Sequence, residues 1–205
     1  SAALALACQG VWSWATVVFA FLIIPAGELV LPFSTANIPD NEEDKQSTRV
    51  FFDWLLYLNA PLLFGIAGWY LYTVSANPLS LSEWLGLTLG TGIVVGSNGI
   101  NVAHELGHRS TRAEQILSKW MLLPALYQHF FIEHNRGHHK NVATEKDPAS
   151  ARKGEILYGF WIRSVAGGWR SAWALETERL EKSGNTTWSP ENEMLRFAAF
   201  QAAWL

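Results

Sequence analysis

The chain has 205 residues, of which 49% are hydrophobic and only 16% are charged, below the roughly one quarter charged in ordinary soluble domains. Its formal net charge of −3 argues against a nucleic-acid partner, because nucleic-acid-binding surfaces are strongly basic. A single cysteine excludes an internal disulfide. The 11 tryptophans are typical of a protein that lies at a membrane interface.

Long apolar stretches predict an all-α fold built on membrane-spanning helices. A helix needs about 20 apolar residues to cross the hydrocarbon layer. Three stretches are long enough, at about 2–33, 51–74 and 82–103, and the third is rich in glycine, which permits close helix packing. The helix-start pattern SPENE then predicts the beginning of a fourth span at 191–205. Both ends of the chain fall inside apolar runs, so we expect a fragment of a longer protein.

The distribution of basic residues predicts the orientation of these helices. The turn at 75–80 contains no lysine or arginine, whereas 12 of the 15 basic residues lie within 106–185. By the positive-inside rule, the region 104–185 is cytoplasmic, and so is the polar loop at 32–49. We therefore expect a polytopic membrane helical bundle with a cytoplasmic, histidine-rich region of metal-site and interfacial helices.

All six histidines lie between positions 104 and 139. HELGH places His104 and His108 four residues apart, so on a helix both rings leave the same face. EHNRGHH adds His134 and His138 at the same spacing and His139 one position further. Clustered imidazoles are typical metal ligands, and imidazole suits iron, copper and zinc alike. The pattern predicts a metal site without choosing the metal.

Two kinds of metal site are compatible with HELGH. Alone it matches the HExxH signature of zinc metalloproteases, in which Glu105 would be the general base. However, a catalytic zinc takes about three protein ligands, whereas the two blocks supply five imidazoles, which favours two ions with further ligands outside this chain. Both blocks must then lie on one side of the membrane, so the stretch 117–132, which contains Pro124, is predicted not to span.

The motifs NVAHELGHRS and HFFIEHNRGHHKNVATEKDPASAR, with PENE at 190–193, resemble the membrane-bound alkane 1-monooxygenase family. That family belongs to the histidine-rich di-iron membrane enzymes, with fatty-acid desaturases and xylene monooxygenases. The resemblance covers nearly the whole chain. It implies one membrane-embedded hydroxylase domain, 1–205, truncated at both ends and lacking the first helix and the C-terminal histidine motifs. It also implies that the ligands of two non-haem iron ions include His104, His108, His134, His138 and His139.

The resemblance further implies a reaction and its partners. Such enzymes hydroxylate the terminal methyl of medium- and long-chain n-alkanes to primary alcohols, using O2 and electrons from rubredoxin, which an NAD(P)H-dependent rubredoxin reductase reduces. The location would be the bacterial inner membrane, with the metal site towards the cytoplasm. A basic patch would then face acidic lipid headgroups or the electron donor. The patch is formed by Arg136, Lys140, Arg152 and Lys153.

Alternatives remain open at this point. A related membrane di-iron desaturase or a xylene-type hydroxylase would use the same ligands. An intramembrane HExxH zinc protease would use HELGH but has no need of EHNRGHH. A non-catalytic metal-binding membrane protein is the remaining hypothesis.

Four further residues are candidates for supporting the ligands. Glu105 and Glu133 each adjoin a ligand in the sequence, and either orient an imidazole through its far nitrogen or form surface salt bridges. His129 either supports the site, or lines a cavity, or has a plain interfacial role. Asp147 either orients a histidine from a loop or caps the next helix.

Overall fold

The computed structural model describes residues 1–31 and 50–205. These residues form helices and connecting turns with no strand among them, which confirms the predicted all-α fold. They divide into two compact units, Ser1–Val102 and Ala103–Leu205. The predicted polar loop at 32–49 lies outside the described residues.

Three long apolar helices characterise the first unit. Its helices are α1 (Ala2–Cys8), α2 (Gly10–Val30), α3 (Val50–Ala76) and the larger part of α4 (Leu81–His108). By length and composition, α2, α3 and α4 can each cross a membrane. Large apolar side chains on them are exposed, such as Phe21 at 71% and Leu62 at 66%. Lipid satisfies such surfaces and water does not, so this is a multi-pass membrane protein.

The stretch 2–33, predicted as one span, is divided in the structure. α1 ends at Cys8, because Gln9 and Gly10 both adopt positive φ, at 50° and 55°. A non-glycine residue in this conformation ends a helix, and a count of apolar residues does not register it. The candidate span is therefore α2 alone, which is shorter than the predicted stretch at both ends.

Glycines on α4 allow close packing within the first unit, as the composition predicted. A Cβ on Gly86 would lie 2.9 Å from backbone atoms of Ser13, and one on Gly90 would lie 3.1 Å from the Cβ of Thr16. These two glycines are four residues apart and so lie on one face of α4. The buried core of the unit includes Leu87, between them in the sequence.

The second unit contains shorter helices around a small apolar core. After the end of α4 it comprises α5 (Arg112–Met121), α6 (His129–Glu133), the π turn (His134–His138), a short helical segment (His139–Asn141), α7 (Leu157–Lys182) and α8 (Glu193–Trp204). The core lies among α6, α7 and α8, and its buried members are Ile132, Ala172, Met194 and Phe197.

The stretch 117–132 is a helix, a turn and a second helix, as expected for a segment that does not span. α5 ends at Met121, the chain turns through 122–128, and Leu126 has a φ of 52°. α6 then begins at His129. The turn brings the second histidine block back to the first.

A buried carboxylate joins the π turn to α7 and α8. Glu176 is fully buried and accepts hydrogen bonds from Arg136 at 2.9 Å, from Arg179 at 2.7 Å and from the backbone N–H of Glu193 at 2.9 Å. Burial alone would raise the pKa of Glu176, but these donors outweigh it and hold the pKa at about 2. Glu193 also pairs with Lys119. Arg136 therefore forms ion pairs with Glu176 and Glu193 while its side chain stays 35% exposed.

Candidate metal centre

Four imidazole groups converge within the second unit. The Nε2 atom of His108 lies 3.1 Å from that of His104 and 3.1 Å from that of His134, and the Nε2 atom of His139 lies 2.9 Å from that of His134. One ligand atom from each ring lies within 4.8 Å of the others. Two nitrogens bound about 2.1 Å from one ion, at an angle near 90°, are about 3 Å apart. The observed spacing fits metal ligation.

The π turn determines which histidines of the second block join this group. In an α-helix, residues four apart share a face, whereas the hydrogen bonds of a π turn run from residue i to residue i+5. His139 follows His134 by five positions, and its ring centroid lies 4.5 Å from that of His134. The ring of His138 is stacked with that of His134, with centroids 5.2 Å apart, and is not one of the four convergent rings. Four-residue spacing placed His134 and His138 on one helix face, with His139 as a further ligand, whereas in the structure His139 is the one that converges with His134.

His138 is oriented by Asp147, one of the residues predicted to support a ligand. The Nδ1 atom of His138 lies 2.9 Å from Oδ2 of Asp147, whose side chain is fully buried. Burial would raise the pKa of Asp147, but hydrogen bonds from Ser150, from the Ala149 N–H and from His138 outweigh it and lower the pKa. Asp147 is therefore a carboxylate that accepts the Nδ1–H, which leaves Nε2 of His138 with its lone pair free for a metal.

Arg163, a residue that the sequence analysis did not identify, holds the loop that carries Asp147. Its guanidinium makes two hydrogen bonds of 2.6 Å to the carboxylate of Glu155. It also donates to the backbone carbonyls of Pro148, at 3.2 Å, and Ser150, at 2.9 Å. The loop is thus fixed on both sides of the turn that follows Asp147. No periodicity relates Arg163 to these partners, so no sequence pattern could have revealed the contact.

One histidine of the second block, His134, is held in the form that binds metal. Burial, together with the charges of the neighbouring imidazoles, lowers the pKa of His134 to about 3. This ring is therefore neutral at physiological pH. Metal ligation requires neutral imidazole, so His134 does not have to lose a proton before an ion binds.

Two other predicted residues line a small cavity beside the histidines. The cavity, of about 60 Å³, is bordered by His129, Glu133, His134 and His138, and has room for water. Burial lowers the pKa of His129 to about 4, and its Nε2 has no hydrogen-bond partner among the described residues. Burial, with the charge of Asp147, raises the pKa of Glu133. Their roles in supporting the ligands stay predictions.

Glu105 lies between the two histidines of HELGH in the sequence, and its carboxylate contacts an arginine. Its carboxylate is half exposed and pairs with Arg109 at 3.0 Å, one helical turn further on. Among the described residues it makes no hydrogen bond to a histidine. The geometry favours the surface salt bridge over the role of orienting an imidazole.

Comparisons with known proteins place the chain among membrane oxygenases and desaturases. The family profile described as fatty acid desaturase matches residues 78–205. Alkane 1-monooxygenase 1 of Alcanivorax borkumensis is 35% identical over 91% of this chain and 46% of its own length. The alkane 1-monooxygenase of Pseudomonas putida is 39% identical over 78% of this chain and 40% of its own length. The xylene/toluene monooxygenase hydroxylase component of Pseudomonas putida is 25% identical over 81% of this chain and 46% of its own length.

These similarities confirm the resemblance that the histidine motifs indicated. The chain spans about half the length of the relatives it matches. The matched region, 78–205, is well over half of the 205 residues and contains the convergent histidines and the loop of Asp147. The chain therefore belongs to the fatty acid desaturase family.

Proposed function

We propose that the protein to which this chain belongs hydroxylates the terminal methyl of medium- and long-chain n-alkanes to primary alcohols. It uses O2 and takes electrons from rubredoxin, which an NAD(P)H-dependent reductase regenerates. The observation that carries the proposal is the convergence of four imidazole nitrogens within 4.8 Å, in a chain similar to several alkane 1-monooxygenases.

The site is proposed to hold a non-haem centre of two iron ions. The four convergent histidines are the proposed ligands, with His138 as a fifth through its free Nε2. Donor chemistry supports this assignment, because several neutral imidazoles suit iron. Bound iron would supply the activation of O2, which amino-acid side chains do not perform.

The protein's own residues would position and isolate the centre. Asp147 fixes the tautomer of His138, and Arg163 holds the loop of Asp147 in place. An alkane has no polar group, so only shape and burial can position it, at about 0.8 kcal/mol for each buried CH₂. The apolar helices of a multi-pass protein supply such surroundings.

The proposed location is the bacterial inner membrane, with the metal centre on the cytoplasmic side. The excess of lysine and arginine in 106–185 supports this orientation through the positive-inside rule. The cytoplasmic side is also where a soluble electron donor reduced by NAD(P)H would be found.

Turnover of octane by the full-length protein tests the proposal. Purified protein, rubredoxin, rubredoxin reductase and NADH are supplied with ¹⁸O₂, and 1-octanol carrying one ¹⁸O atom is expected. Metal analysis is expected to give about two irons per chain. Product without ¹⁸O would exclude a monooxygenase. A parallel assay without rubredoxin tests the electron donor independently of the hydroxylation, because turnover is lost only if rubredoxin is the donor.

A xylene-type hydroxylase is the second candidate function, supported by the similarity to the xylene/toluene monooxygenase component. Parallel assays with octane and xylene distinguish the two, and a higher kcat/KM for xylene would favour the second. Glu105→Gln tests the zinc-protease hypothesis. Because Glu105 pairs with Arg109, we expect hydroxylation to persist in this variant. One zinc per chain and a peptidase activity lost in the variant would instead establish the protease.

A further inference from the structure

A second cavity in the same unit contains none of the histidines. It has a volume of about 450 Å³, within the usual range for ligand sites, and lies between α5 and α8. Its lining combines three cations with large apolar side chains, among them Arg112, Lys119, Arg196, Trp120, Phe197 and Phe200.

Among the residues that the structure describes, two of the three cations have no acidic partner. Glu193, which also lines the cavity, is paired with Lys119 and with Arg136. Arg196 donates one hydrogen bond, of 3.0 Å, to the backbone carbonyl of Glu191. Arg112 is exposed and has no hydrogen bond or ion pair within the part of the chain that the structure describes. Within residues 1–31 and 50–205, the cavity therefore presents two guanidinium groups without an acidic partner, and their planar donors match phosphate.

The apolar part of the lining requires more than a small anion. Trp120 and Phe200 are 42% and 43% exposed, with ring centroids 5.1 Å apart, and Phe197 is buried beside them. Inorganic phosphate would neutralise the arginines but would leave these rings in water. A ligand with both an anionic head and a hydrocarbon chain satisfies both parts of the lining. In a multi-pass membrane protein, such molecules surround the chain.

We propose that this cavity binds an anionic phospholipid. Its phosphate group contacts Arg112 and Arg196, and its acyl chain lies against Trp120 and Phe200. The proposal depends on the membrane location and not on the reaction at the histidines, so the two can fail separately.

The test measures lipid binding to the full-length protein in detergent. Native mass spectrometry and fluorescence titration compare phosphatidylglycerol with phosphatidylcholine of the same acyl chains, and inorganic phosphate with both. We expect phosphatidylglycerol to bind more tightly than phosphatidylcholine. Each guanidinium near a membrane surface contributes about fivefold in affinity for an anionic lipid, so Arg112→Gln with Arg196→Gln is expected to weaken binding about 30-fold.

Controls separate this site from general attraction to the surface. Lys146→Gln with Arg170→Gln removes the same charge from exposed positions outside the cavity and is expected to leave the preference unchanged. Trp120→Ala is expected to weaken phosphatidylglycerol binding while leaving inorganic phosphate binding unchanged. Equal binding of the two lipids, equal losses in both double variants, or a full-length structure with a protein segment in the cavity would each overturn the proposal. If the Arg112 and Arg196 variant does not fold, the proposal is tested by the lipid preference of the unmodified protein and by the phosphatidylglycerol binding of Trp120→Ala.

Discussion

Replacing Asp147 with asparagine is expected to weaken metal binding by about 10- to 100-fold. Asparagine keeps the size of the side chain, and its oxygen still accepts from the backbone N–H of Ala149, a contact of 2.9 Å. The oxygen that is lost accepts from His138 at 2.9 Å and from Ser150 at 2.5 Å. The Ser150 hydroxyl can rotate to accept from the new amide, but the Nδ1–H of His138 cannot.

The expected magnitude follows from this one unmatched contact. His138 recovers a hydrogen bond only by moving its proton to Nε2, the atom proposed to bind metal. A hydrogen bond to a charged group contributes about 1.5–3 kcal/mol, and a tenfold change in affinity corresponds to about 1.4 kcal/mol. The side chain of Asp147 is fully buried, so water does not replace the lost acceptor.

The assay is competition for iron between the full-length protein and a chelator of known affinity. The matched control is Glu145→Gln, which removes one charge from an exposed position in the same loop and is expected to bind iron like the unmodified protein. Circular dichroism checks that both variants keep their helices. An affinity within about twofold of the unmodified protein would refute the role of Asp147, since the lost contact predicts about tenfold at least.

Three further predictions concern stability and local order. His129 has a folded-state pKa of about 4, below its ordinary value of 6.5. Its contribution to stability is therefore present above pH 6.5 and falls by roughly 3 kcal/mol as the pH drops to 4. His129→Phe is expected to flatten that part of a plot of Tm against pH. Gly137→Ala places a Cβ 2.5 Å from a carboxylate oxygen and is expected to destabilise the fold by about 1–3 kcal/mol in thermal unfolding. In the control Gly168→Ala the new Cβ lies 4.0 Å from its nearest neighbour, so this variant is expected to be neutral or slightly stabilising. Arg163→Gln is expected to speed amide hydrogen exchange in 148–155 at least tenfold, roughly the loss of one hydrogen bond to a charged group, and unchanged exchange there would contradict its role.

Much of the fold could be predicted because membrane helices depend on one property, the length of an apolar run. The stretches 51–74 and 82–103 correspond to Val50–Ala76 and Leu81–His108. The break at Gln9 was missed because it depends on a backbone angle of a residue with no turn signature. The sequence predicted metal-site and interfacial helices in this region without their bounds, and the structure shows that α7 is one continuous helix from Leu157 to Lys182.

The site was predicted where spacing along a regular helix determines geometry. His104 and His108 converge as their four-residue spacing required. The second block departs from this rule because the helix widens at His134, and spacing alone cannot show a change of helix type. Contacts such as those of Arg163 were beyond prediction, since they join a loop to a later helix.

The wide turn at His134–His138 makes the site sensitive to chain length as well as to side-chain identity. In a regular α-helix, a residue five positions further on points about 140° away from the first. Without the widening, His139 would leave the group of convergent nitrogens and His138 would turn towards it, away from Asp147. We therefore expect the insertion of one residue between positions 134 and 138 to place His138 at the fifth position after His134, where His139 now lies, and so to disrupt both the convergent group and the contact of His138 with its buried carboxylate.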